Sequence, residues 1–196
     1  MTLRPDQQII DSWIPDKARI LDLGCGDGQL LTALQKRHIT GYGIDNDNGY
    51  IAQCLATGVD VIHADLDQGL SQFEDKSMDI VILSQTLQAV KKPSLLLDEI
   101  MRVGKQAIIG FPNFGYWQCR LHLSLYGKMP VSTNLPAAWF DTPNIHLCTI
   151  KDFEQLCQQK QLTILKRSVV NHAHQDTLPI RLAANFFGEI ALYHLQ

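Results

Sequence analysis

Short aliphatic runs alternate with segments of helical period along most of the chain. Residues 18–23, Ala-Arg-Ile-Leu-Asp-Leu, stop at Gly24, the pattern of a buried parallel strand entering a tight turn. Past the glycines, Leu30, Leu31 and Leu34 recur at helical spacing, and residues 41–45 return to small and apolar positions that predict a second strand. The same rhythm predicts a helix near 49–57, strands at 59–63 and 78–83, a helix at 94–103 and a strand at 106–111. Pro93 and Ser94 suit the start of that last helix and Gly104 its end. Such alternation specifies an α/β fold, a doubly wound and mostly parallel sheet with right-handed crossovers.

Residues 112–147 break the rhythm. They hold Pro112, Pro130, Pro136 and Pro143 together with Tyr116, Trp117, Trp139 and Phe140. A connection far beyond ordinary loop length predicts an insertion or lid after the fifth strand, with a helix of its own over 116–125. Arg120 and His122, interleaved with leucines, read as an amphipathic helix face. Thr149 and Asp152 mark a further helix start, with Phe153, Leu156 and Cys157 on one face. The runs 162–170 and 188–195 complete seven strands as an antiparallel pair at the sheet edge, within one domain over 1–196.

Composition narrows the classes of partner. The 196 residues carry 17 basic and 20 acidic side chains, a formal net charge of −3. That balance lacks the basic excess that holds a polyanion, so no nucleic-acid partner is expected. No apolar run approaches the roughly 18–20 residues of a membrane span. Arg4, Pro5 and Asp6 stand where a signal peptide would be apolar, which predicts a cytoplasmic protein without a membrane partner. Cys25, Cys54, Cys119, Cys148 and Cys157 contain no CxxC, so neither a disulfide framework nor a zinc site is expected. His172 and His174 would share one face of an extended segment, but two ligands without a third make no metal site.

Chemistry concentrates in Asp22-Leu23-Gly24-Cys25-Gly26-Asp27-Gly28, between a predicted strand and a predicted helix. Glycines there allow a tight turn and close approach of a ligand to the backbone. The string departs from the dinucleotide fingerprint, since Gln29 stands where its last glycine would fall. It resembles the first motif of class I S-adenosylmethionine-dependent methyltransferases. Their ligand has no pyrophosphate and needs acids for an ammonium and two ribose hydroxyls.

The resemblance implies S-adenosylmethionine, or its product S-adenosylhomocysteine (SAH), as cofactor. Asp22 and the backbone of Gly24, Cys25, Gly26 and Gly28 would hold its amino-acid end, and Asp45, with Asn46 beside it, the ribose hydroxyls. Asp65 would contact the adenine amino group and Leu66 would donate its backbone N–H, while Ser84 and Gln85 would line the methionine side. Asp27 and Asp47 read as solvated loop acids. No catalytic carboxylate or histidine stands out after the fourth strand. His146, between Ile145 and Leu147 near a helix start, is the weak candidate for an acid/base role, although such a setting more often marks a structural histidine.

Three further strings lie at and within the insertion: Gly110-Phe111-Pro112-Asn113-Phe114-Gly115-Tyr116-Trp117, Gly127-Lys128-Met129-Pro130, and Trp139-Phe140-Asp141-Thr142-Pro143-Asn144-Ile145-His146-Leu147-Cys148-Thr149. With the glycine loop, they resemble the MetW family of methionine-biosynthesis proteins over nearly the whole chain. That resemblance implies a homoserine O-acyltransferase of the MetX type as partner, whose activity the protein supports. The alternative is a methyltransferase acting on a small molecule. Phe114, Trp117, Trp139 and Phe140 read as a cap over the ligand, as a partner patch or as a small satellite core.

Overall fold

A computed structural model describes residues 3–132, 135–171 and 177–196. Seven strands, β1 (Arg19–Leu23), β2 (Thr40–Asp45), β3 (Val61–His63), β4 (Met78–Ser84), β5 (Gly104–Pro112), β6 (Ile164–Val170) and β7 (Ile190–Leu195), form one sheet. Their order is β3-β2-β1-β4-β5-β7-β6, with β7 antiparallel to both neighbours. This is the doubly wound, mostly parallel architecture expected. The final pair does lie at one edge, with β6 outermost and β7 inside it. Every residue of β7 is buried, as its place between two strands requires.

The helices are α1 (Pro5–Trp13), α2 (Gln29–Gln35), α3 (Asn48–Ala56), α4 (Pro93–Val103), α5 (Trp117–Tyr126), α6 (Ile150–Gln159), α7 (Leu178–Leu182) and α8 (Ala184–Phe187). Two-residue periodicity splits the apolar side chains between the sheet's faces. Ile20, Ile80, Ile82 and Ile108 pack on one side with Ile10 of α1, Leu30 and Leu34 of α2 and Cys54 of α3. Leu21, Leu23, Val81 and Leu83 pack on the other with Leu97 and Ile100 of α4 and Phe153 and Cys157 of α6. Phe153 lies 4.8 Å from Phe111 and 4.9 Å from Tyr193 between ring centroids, so the second layer is fastened to the last strands by aromatic contacts.

Helix α1, which the hydrophobic pattern did not predict, begins with Pro5 in its first turn. Ile10 and Ile14 sink into the core and Trp13 stacks on His194 of β7. Arg37, just beyond α2, holds the far end of α1. Its guanidinium donates to the Ile14 carbonyl at 2.9 Å and pairs with Asp11 and Asp16. Anchored at this end, α1 presents its first turn to the carboxyl ends of the strands.

The 112–147 segment contains α5 where a helix was expected, shifted by one residue and closed by Gly127 at φ +61°. Its base is stitched to the domain by Asn113, which is buried. The Asn113 amide donates to the carbonyls of Gly188 at 2.7 Å and Asn185 at 3.2 Å, and its oxygen accepts from Gly115 and Ile150 N–H. Trp139 and Phe140 pack edge to face yet remain 74% and 75% exposed, so this pair builds no satellite core. Thr149 and Asp152 form the reciprocal cap that starts α6, as their spacing predicts.

Candidate functional site

Parallel strands β1, β2, β3 and β4 end together, with Leu23 opposite both Ile44 and Leu83, and Asp45 opposite His63. A cavity of about 550 Å³ opens beyond these ends, where open α/β sheets hold their ligands. Of the residues singled out from the sequence, Asp22, Gly24, Cys25, Gly26, Asp45, Asn46, Asp65, Leu66, Ser84 and Gln85 all line it. Gly28 does not. It is the left-handed cap of α2 (φ +73°), and a Cβ there would stand 2.9 Å from Cys54 Sγ.

The loop is shaped by backbone conformation as well as by space. Gly24 and Gly26 have φ of +70° and +56°. A Cβ on Gly24 would run into Thr86, whereas one on Gly26 would meet no protein atom within 4 Å. The first glycine therefore serves packing, and the second leaves open backbone facing the cavity. Asp45 braces the turn: Gly26 N–H donates to one carboxylate oxygen at 2.9 Å and Asp47 N–H to the other at 3.0 Å. Each oxygen keeps accepting capacity for a diol while the carboxylate is held in place. Asp65 accepts from Asp67 N–H at 2.9 Å, so it caps the 3-10 turn Leu66–Gln68 as well as lining the cavity.

Asp22 differs from these two. It occupies the β1 position between Leu21 and Leu23, on the face that α1 covers, and is only 4% exposed. Burial pushes its carboxyl up to about 7, Arg4 opposes that shift and Asp45 reinforces it. Cys25 also lines the cavity, and its thiol is driven up by burial and by Asp22, so it is held protonated. At the end of β4, Gln85 takes a left-handed conformation (φ +59°) and its N–H donates to Gly110. Ser84 and Gln85 both line the cavity, but their Oγ and Nε2 atoms, like Gln88 Oε1, are buried without a hydrogen-bond partner.

Several lining residues were not foreseen. Arg4 and Gln7 reach the cavity from α1, Tyr50 from α3, and Pro143 from the insertion. Pro5 followed by the Gln-Gln-Ile-Ile run was the available sign of a helix there, and helical placement is what turns Arg4 toward the strand ends. Asp27 is a half-buried loop acid that lines the cavity and accepts from Gln29. Asp47 caps α3 through Gly49 and Tyr50 N–H. His146 is exposed, with Nε2 3.1 Å from the Lys91 carbonyl and its backbone N–H donating to the Gln88 carbonyl. It thereby ties the insertion to the turn after β4 and is not among the lining residues. His172 and His174 lie outside the described residues. Among the described residues, no three His, Cys, Asp or Glu side chains converge as metal ligands, and no helix is long and apolar enough to cross a membrane.

The fold is shared with an S-adenosylmethionine dependent methyltransferase from Mesorhizobium loti, at 16% identity and a TM-score of 0.71 over 98% of this chain and 97% of that one. It is also shared with the plantazolicin methyltransferase BpumL, solved in complex with SAH, at 18% identity and a TM-score of 0.65 over 98% and 80% of the two chains. The bifunctional methionine biosynthesis protein MetXA/MetW of Rhodopirellula baltica is 40% identical in an alignment of 174 residues that covers 84% of this chain and 28% of that longer protein. The family model described as methionine biosynthesis protein MetW matches residues 4–195. A class I methyltransferase fold, a glycine loop braced by an acid, and a match from the first turn of α1 to the last strand assign this chain to the MetW family of methionine biosynthesis proteins.

Proposed function

We propose that this protein binds S-adenosylmethionine or S-adenosylhomocysteine in the strand-end cavity and partners a homoserine O-acyltransferase of the MetX type, whose activity it supports. The observation that carries the partnership is the Rhodopirellula baltica relative, in which a MetW part and a MetXA part belong to one chain. Fusion keeps two partners at high effective concentration, an arrangement that separate chains achieve by binding. The cavity supports the ligand reading through its chemistry: fixed carboxylates at Asp45 and Asp65 suit hydroxyl and amino donors, and Asp22 suits an ammonium. Such a biosynthetic role implies the cytoplasm.

In this reading Asp45 receives the ribose hydroxyls, Asn46 lies beside them, and Asp65 with the Leu66 N–H addresses the adenine. Asp22 and the glycine loop, where the Gly26 carbonyl keeps accepting capacity and no Cβ blocks approach, hold the amino-acid end. A ligand with different affinity for the free and the partnered protein would couple cofactor level to acyltransferase rate. Calorimetry with S-adenosylmethionine on the wild type and Asp45→Ala tests the site: binding by the first and loss in the second are expected. Co-elution with the acyltransferase, and a change in its rate on adding this protein, test the partnership. Failure of both to appear, with and without ligand, would remove it.

A second reading, a small-molecule methyltransferase, is favoured by the polar residues Ser84, Gln85 and Thr86, which line the cavity at the end of β4. Positioning supplies most of the rate in an in-line methyl displacement, and a base is needed only for a poor nucleophile. Formation of S-adenosylhomocysteine with a metabolite panel is its test. Binding without turnover across that panel would favour the partner reading.

A further inference from the structure

The cavity wall has an uneven charge. Asp22, Asp27, Asp45, Asp65 and Asp67 all line it, and Arg4 is the one lysine or arginine among its lining residues. Arg4 sits at the start of α1, whose far end is fastened by Arg37, and it faces the same region as the buried Asp22. Its guanidinium meets Asp6 at 3.3 Å through both Nε and Nη2, longer than a well-formed charge-assisted bond. Arg4's side chain is 56% exposed whereas that of Asp6 is 4% exposed, so the acid is fixed and the cation retains freedom to turn. Gln7 closes the turn beneath it by accepting from Arg4 N–H at 3.2 Å.

Resting on the ligand reading above, we infer that Arg4 is the carboxylate clamp of the site, so that α1 and β1 together recognise a zwitterionic α-amino-acid group. Asp22 accepts from the ammonium and the Arg4 guanidinium donates to the carboxylate. A fork of N–H donors matches a carboxylate geometrically, and an acid with an opposed base selects a zwitterion over a plain cation or a plain acid. Arg4 is thus a specificity-determining residue. It explains why a chain segment outside the glycine loop is turned toward the strand ends, and it predicts that nucleosides lacking the amino-acid group bind poorly.

The experiment measures dissociation constants by calorimetry for S-adenosylhomocysteine and for 5′-methylthioadenosine, which carries the same adenosine but neither ammonium nor carboxylate. In Arg4→Gln the constant for S-adenosylhomocysteine should rise about 10- to 100-fold, while that for methylthioadenosine stays unchanged. Arg4→Lys should recover part of the loss. An equal loss for both ligands would make Arg4 a support of α1 and overturn the clamp, as would no loss for either. Should Arg4→Gln fail to fold, the wild type still decides. Decarboxylated S-adenosylmethionine should bind it at least about tenfold more weakly than S-adenosylmethionine, and equal affinity would overturn the clamp. A wild type that binds neither nucleoside would instead remove the reading of the site itself.

Discussion

The strand-end cavity and the 112–147 segment are built on opposite principles. At the cavity, backbone N–H groups of Gly26, Asp47 and Asp67 are committed to Asp45 and Asp65, so the polar surface is held in place before any ligand arrives. In the segment, Asn113 fastens the base in four hydrogen bonds, and beyond it Leu125, Tyr126, Trp139 and Phe140 are left exposed. A small polar ligand is recognised by few fixed groups in a concave site, whereas a macromolecular surface is recognised by apolar area. The contrast is the one the proposed function calls for, a concave site for a nucleoside and an apolar surface for a protein.

The sharpest test of the first region is Asp22→Asn. A carboxyl whose folded pKa is raised from 3.8 to about 7 binds its proton more tightly in the folded state, so folding stability falls as pH rises between these values. Removing the charge should stabilise the protein at neutral pH by roughly a few kcal/mol and flatten the pH dependence from 4 to 7 in urea unfolding. Ligand binding should weaken in the same variant. A variant less stable than wild type at pH 7 would mean that Asp22 is held ionised.

At the junction of the two regions, Asn113→Ala should cost about 2–4 kcal/mol, because buried N–H and C=O groups lose their partners. Urea unfolding checks the loss, and near-normal ligand affinity in the surviving folded fraction would show that the seam serves the segment and not the cavity. Gly26→Ala should cost about 1 kcal/mol in stability, since its φ of +56° strains an L residue while the space is open. Its larger effect, read by calorimetry, should be on ligand affinity. The smallest stability change, within about 0.5 kcal/mol, is expected for Trp139→Ala with Phe140→Ala. That pair should weaken co-elution with the acyltransferase while leaving ligand binding intact, and intact co-elution would move the partner surface elsewhere.

Much of the candidate site was legible before the structure because its residues are contiguous in short strings at strand ends. A glycine loop after a strand, and an acid closing the next two strands, need only the order of elements to be brought together. Gly28 parts from its neighbours for a related reason: the string looks uniform in sequence, yet its last glycine turns toward Cys54 and α3. Asp47 and Asp65 show that an acid at a strand end can be a cap, and only in Asp65 does the cap also line the cavity.

Fold class and the glycine loop follow from local spacing, because turns, caps and period-two burial are properties of neighbouring residues, and the family resemblance is carried by short contiguous strings; the strand order is read from the sheet itself. Three matters were settled by the packed molecule alone. Arg4 reaches the strand ends because α1 crosses the sheet and is pinned at Trp13 and Arg37. Asp22 has its unusual acidity because α1 and the sheet bury it together, and desolvation belongs to the whole environment of a group. Trp139 and Phe140 are exposed because no element of the described chain covers them, a fact their hydrophobicity could not reveal.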